Sequence, residues 1–102
     1  MGETVRFGQL YEWDEEKAAE NPINHDGVTF EESTSLFDDA NALFEFDFEH
    51  STEEDRFKAI GLSNGGQTLV VSYTYREHRM RIISARKAEP REERQYANEP
   101  KG

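Results

Sequence analysis

The sequence predicts an α+β fold: a mostly antiparallel sheet of four to five strands, two N-terminal helices and a C-terminal helix, with the helices packed on one face. Three observations predict it. Between residues 42 and 87 the hydrophobic pattern repeats every second residue, as strands require. Before that stretch lie two short segments with helix-capping residues. After it, Pro90 stands where a helix would open. The 102 residues are expected to form one domain, 1–102. A chain of this size buries roughly two-thirds of its unfolded surface, so one modest core is available.

Residues 5–13 (VRFGQLYEW) alternate partly and carry β-formers, so they read as an opening strand. Asp14 can cap the helix that follows, and Glu15 and Glu16 in its first turn favour the helix dipole. Pro22 is expected to stop this helix after about two turns. Thr29 and Glu32 have capping-box spacing and open a second helix to about Phe37. Phe30, Thr34 and Phe37 share one of its faces, and Asp38 and Asp39 oppose the dipole at its end.

The period then changes to two. In residues 42–50 (ALFEFDFEH), Phe44, Phe46 and Phe48 face one way and Leu43, Glu45, Asp47 and Glu49 the other, a half-buried strand. Residues 56–62 form the next strand, and Ser-Asn-Gly-Gly at 63–66 supplies a hairpin turn. Residues 67–75 (QTLVVSYTY) are the richest in β-branched and aromatic side chains. Residues 76–79 make a short reversal, 80–85 return antiparallel, and 89–99 read as the terminal helix.

The hydrophobic and charged fractions are nearly equal, 34% and 33%, so the surface is heavily ionised. The absence of cysteine excludes disulfides, thiolate zinc sites and cysteine nucleophiles, and fits a reducing cytoplasm. Purely apolar runs such as residues 69–71 reach only three residues, so no membrane span is expected. The net charge of −10 is unevenly spread: residues 1–55 hold 17 acids and 2 bases, residues 56–102 hold 5 acids and 10 bases. Either the two parts neutralise each other across the fold, or they face different partners.

Three groups of residues could carry chemistry. Asn24-His25-Asp26-Gly27 puts an imidazole in a loop, where it can shuttle protons near neutral pH or simply sit on the surface. His50-Ser51 precedes Glu53-Glu54-Asp55-Arg56; Ser51 or Thr52 can cap a turn, and a carboxylate can be poised beside Arg56. Neither group has metal-ligand spacing, and no metal or other cofactor is expected. The third group is the arginines. Arg76 shares a strand face with Ser72 and Thr74, and Arg79 shares one with Arg81. Two adjacent strands, with Arg56 from a third, would gather guanidinium groups on one concave surface. Guanidinium forks bind phosphate bidentately and stay charged. Tyr73, Tyr75 and Tyr96 could stack on bases if exposed. The competing reading is that the arginines pair with the glutamates of 42–50. An enzyme built this way needs no covalent intermediate, and RNA cleavage suits it, because the 2′-OH is the nucleophile and the protein supplies acid, base and positive charge.

The segments YEWDEEKAAEN, HDGVTFEES, LFDD, DFEHS, EEDRFKAIGLS, LVVSYTYR, RIISARKA and ERQY resemble, in order and spacing, the BrnT toxins of bacterial type II toxin–antitoxin systems. The resemblance spans about residues 11–96. It implies a RelE-like fold, a ribonuclease that inhibits translation, and a BrnA-like antitoxin that wraps the toxin and represses their operon, so that operator DNA is met only through the antitoxin. Carried over, it points to His25, Glu54, Arg56, Arg76 and Arg81 as catalytic. Thr74, Arg79 and Arg86 would bind RNA, with bracing of the terminal helix as the alternative for Arg86. Glu54 or His25 would be the base and His25 the acid; Arg56, Arg76 and Arg81 would hold the phosphate. The family usually has Lys-His-Gly where this chain has Asn24-His25-Asp26-Gly27. That departure favours the alternative function: a catalytically weak or inactive protein of the same fold that serves as a binding partner of the antitoxin.

Overall fold

The computed structural model describes residues 1–98. Six strands form one sheet in the order β1-β2-β6-β5-β4-β3. The opening strand is in fact a hairpin, β1 (Gly2–Arg6) and β2 (Gln9–Trp13). Phe7 and Gly8 take φ of 48° and 82°, and that left-handed pair reverses the chain. The sheet therefore has six strands rather than four to five. β2 pairs parallel with β6 (Arg79–Lys87). From β6 outward, β5 (Thr68–Arg76), β4 (Phe57–Leu62) and β3 (Leu43–Phe46) form the expected antiparallel meander.

α1 spans Glu15–Asn24, with the Asp14 side chain accepting from the Lys17 N–H as a cap. Pro22 lies inside it and does not stop it. Proline removes one helical bond, but the next turn is already the last. There His25 N–H donates to the Asn21 carbonyl and Gly27 N–H to that of Pro22. Asp26 and Gly27, at φ of 52° and 83°, then turn the chain. The second helix is also shorter than expected: α2 covers Phe30–Thr34 and tightens into a 3-10 turn, Ser35–Asp38. Thr29 Oγ1 caps it as the spacing predicts. Glu32 reaches away from the cap instead, accepting from Ser63 Oγ at 2.7 Å and Gln67 Nε2 at 3.1 Å, which ties α2 to the β4–β5 turn.

α1, α2 and the 3-10 turn cover one face of the sheet. The main core lies between them and Tyr11, Ala59, Leu69, Val71, Tyr73, Met80, Ile82 and Ala85. α3 (Pro90–Asn98) does not join them, contrary to expectation; it packs on the opposite face, where Tyr96 and Ala88 meet Ile60, Val70 and Leu43. Glu99, the expected last residue of that helix, lies outside the described residues. The phenylalanines of β3 point toward the helical face, but β3 is an edge strand, and on that face it meets only Phe37 of the 3-10 turn among the described helical residues. Phe44 stacks on Phe37 and Phe46 meets Phe57 edge-on, yet both keep a large exposed surface, and Phe48 is 84% exposed. The buried side chain of that segment is Asp47.

Candidate functional site

The face opposite α1 and α2 carries the arginines, and strand register puts them there. Thr74 pairs with Arg81, Arg76 with Arg79, Val70 with Arg86 and Lys58 with Ser72, so these side chains alternate with the core residues. A register shift at Ser72/Tyr73 leaves Ile83 as an extra residue in β6. Bulges bend a strand and raise its local twist. Ile83 lines the cavities that flank the kink.

The loop between β3 and β4 supplies the rest. Its neck closes where Asp47 N–H donates to the Arg56 carbonyl. The Ser51 hydroxyl braces it, accepting from the Arg56 N–H at 2.8 Å and donating to the Asp47 carbonyl at 2.6 Å. Ser51 thus does cap a turn, and in doing so it fixes His50, Glu54 and Arg56 over the sheet.

Glu54, Arg56, Arg76 and Arg81 line one cavity of about 130 Å³, together with Asp14 and Lys17. Four cations and two carboxylates face it. Glu54 lies between two guanidinium groups, with Arg56 Nη2 at 3.6 Å and Arg76 Nη2 at 3.5 Å. Both contacts are too long for strong hydrogen bonds, so all three groups keep capacity for a ligand. Arg81 is held more firmly. Its Nη1 donates to Glu12 Oε2 at 2.8 Å, while Arg79 donates to the other oxygen at 3.3 Å. Burial pushes the Glu12 carboxyl up, but the hydrogen bonds and charges of Arg81 and Arg79 outweigh it and hold the group below its usual range.

Other expected site residues lie elsewhere. His25 lines a neighbouring cavity with Lys17, Glu20, Asn21 and Ile83; it shares Lys17 and Ile83 with the arginine cavity but does not line that cavity. Thr74 is buried, and its hydroxyl donates to the Asp55 carbonyl at 2.6 Å. Arg86 makes a bidentate pair with Glu92 of α3, at 2.7 and 2.8 Å, and so braces the terminal helix. Tyr73 is buried, Tyr96 donates its hydroxyl to Asp39, and the exposed Tyr75 joins the aromatic cluster on the opposite face.

Sequence reasoning missed a second, larger cavity of about 260 Å³. Asp47, His50, Arg56, Lys58, Ser72, Ser84 and Arg86 line it, and Arg56 and Ile83 are common to both cavities. Asp47 Oδ2 accepts from His50 Nδ1 at 2.8 Å. Burial pushes the Asp47 carboxyl up, but the His50 hydrogen bond and the Lys58 charge prevail and hold it below the usual carboxylate range. Glu49, Asp47 and His50 place donor atoms within 4.8 Å of one another. The Asp47–His50 bond already occupies two of those atoms, and exposed acid clusters of this kind are common without an ion. The signal for the pair, an aspartate three residues before a histidine, was in the sequence, but only the loop neck shows that the aspartate turns inward.

Residues 13–92 match a protein family described as the ribonuclease toxin, BrnT, of type II toxin–antitoxin systems. A comparison with curated proteins gives no match. Among the described residues no helix is long and apolar enough to cross a membrane.

Proposed function

We propose that this chain, which belongs to the BrnT family of type II toxin–antitoxin ribonucleases, cleaves RNA by attack of the substrate's own 2′-OH, with no metal ion in the step. The observation that carries the reading is the arginine cavity. Three guanidinium groups, from the β3–β4 loop, β5 and β6, face the same space as Lys17 and the carboxylates of Glu54 and Asp14, so cations are in excess. A phosphodiester fits this arrangement. Arg56, Arg76 and Arg81 neutralise the charge that grows on the non-bridging oxygens, and Glu54, acceptor-only when ionised, takes the 2′-OH proton. The guanidinium groups do the work a metal would otherwise do. A RelE-like fold goes with this reading, supported by the four-strand meander with α1 and α2 on one side. So do inhibition of translation and capture by a BrnA-like antitoxin, through which alone the chain would meet operator DNA.

The test is to induce the chain alone in a bacterium and follow growth and mRNA, then to assay the purified protein on bacterial RNA with EDTA present. Arg76→Ala and Arg56→Ala are the informative variants, because among the described residues each guanidinium ion-pairs only with Glu54, at 3.5 Å and 3.6 Å, and its loss should leave the fold intact. Growth arrest and EDTA-resistant cleavage that vanish in both variants support the proposal. Normal growth with intact transcripts points to the alternative, a toxin fold kept only to bind its antitoxin.

A further inference from the structure

The arginine cavity holds a base but no evident acid. Cleavage of the P–O5′ bond needs one, since an alkoxide is a poor leaving group. His25 lines a different cavity. His50 is better placed. It lines the larger cavity, which adjoins the arginine site at Arg56. Its Nδ1 is tied to the buried Asp47 at 2.8 Å. An aspartate in that position fixes the tautomer and ring orientation, and Nε2 remains as the atom that exchanges a proton. Half of the side chain is open to solvent. The rest of the lining suits a nucleotide: Arg56, Lys58 and Arg86 for phosphate oxygens, Ser72 and Ser84 for sugar hydroxyls. Arg86 is already paired with Glu92, so Arg56 and Lys58 are the cations available. The charged groups around His50 are Asp47, Lys58, Arg56 and Arg86, with Glu49 beside it in the chain.

We infer that His50, oriented by Asp47, is the general acid of the cleavage, and that the nucleotide on the 5′-oxygen side of the scissile bond lies in the Lys58–Ser72–Ser84 cavity. This rests on the ribonuclease reading above. In the step, the 2′-oxygen forms a bond to phosphorus and its proton passes to Glu54. The P–O5′ bond breaks and O5′ takes the proton from His50 Nε2. The products are a 2′,3′-cyclic phosphate and a 5′-hydroxyl. Asp47 is a positioning residue.

The experiment uses the full chain and a synthetic oligoribonucleotide built on a cleavage site mapped in bacterial RNA with the wild type. One copy carries the natural 5′-oxygen at that site; the other carries a bridging 5′-sulfur, which leaves without protonation. His50→Ala is expected to slow the natural substrate ~10²–10⁴-fold, the range for a general acid, and to cut the sulfur substrate at nearly the wild-type rate. Asp47→Asn is expected to show the same selective defect, smaller in size, which a purely structural role would not produce. If His50→Ala cuts the natural substrate normally, or slows both substrates equally, the assignment is overturned while the ribonuclease reading stands. If the wild type degrades no RNA at the mapping stage, the ribonuclease reading itself fails.

Discussion

Replacing Glu12 by glutamine separates what the arginine face needs for stability from what it needs for binding. Glu12 is buried and bridges Arg81 and Arg79. The 2.8 Å bond to the largely buried Arg81 is charge-assisted and lies in the range of ~1.5–3 kcal/mol. The 3.3 Å contact to the half-exposed Arg79 belongs with surface pairs, at about 0–1 kcal/mol. Glutamine keeps the shape and one acceptor but turns an amide N–H₂ toward a guanidinium, so the loss is about 2–3 kcal/mol. For a chain of this length that lowers Tm by on the order of 10–20 °C. The pH dependence has a definite sign. The folded-state carboxyl of Glu12 is held below its usual value. Its contribution is therefore full above the unfolded value, about 4.3 for a glutamate, and fades as pH falls through the folded one. Thermal melts by circular dichroism from pH 7 down to pH 3 should show the gap between wild type and Glu12→Gln closing on the acid side. Glu12 also competes with phosphate for Arg81, so the variant should bind a short oligoribonucleotide more tightly. Equal Tm values at neutral pH, or a gap that persists undiminished at pH 3, would refute the reasoning.

Other expectations follow from single contacts. Asn21→Ala removes the buried amide that donates to the Val28 and Ala85 carbonyls and accepts from the Ala85 N–H. It leaves backbone groups unpaired and should cost about 2–4 kcal/mol, read as a lower urea midpoint at unchanged slope. Gly61→Ala has no backbone penalty, but its Cβ would stand 2.9 Å from Leu36 Cγ and 3.0 Å from Ala42 Cβ. A loss of about 1–3 kcal/mol is expected by the same measurement. Glu92→Gln breaks the bidentate pair that pins α3 to β6. Amide hydrogen exchange should speed up in α3 while β5 stays protected.

The antiparallel meander was legible because its signal is local: alternation in each strand and turn residues between them. The gathering of Arg56, Arg76 and Arg81 on one face followed from the same alternation. What escaped depended on tertiary context. Phe7 and Gly8 split one apparent strand in two, and non-glycine residues with positive φ carry no marking in a sequence. Pro22 was read by its local cost, yet only two residues of helix follow it. The Phe44, Phe46 and Phe48 pattern gave the correct face but not the burial, because edge position is a property of the whole sheet. Thr74 looked like a ligand-binding hydroxyl until its bond to the Asp55 carbonyl was visible. Arg86 had two readings, and its pairing with Glu92 supports the bracing one.

The charge of the chain makes a last expectation that separates it from an ordinary basic nuclease. With a net charge of −10, the protein repels RNA at long range. At short range the arginine cavity attracts it. These two effects respond to salt in opposite ways. At an ionic strength of 0.01 M the Debye length is ~30 Å, close to the dimensions of the molecule, so the whole negative charge is felt; at 0.15 M it is ~8 Å, and only nearby groups matter. Adding salt over that interval relieves the repulsion and speeds encounter. It also displaces the phosphate contacts: three arginine contacts on a single strand give a slope of about −2 in log K against log[salt]. The product of the two is a maximum. Cleavage of a long RNA, measured as kcat/KM from 10 mM to 500 mM salt, should therefore rise and then fall. A dinucleotide substrate, which samples little of the distant field, should show the fall alone. A steep monotonic decline for the long RNA would mean that the acids of residues 1–55 do not oppose its approach, and that the arginine face is electrostatically separate from them.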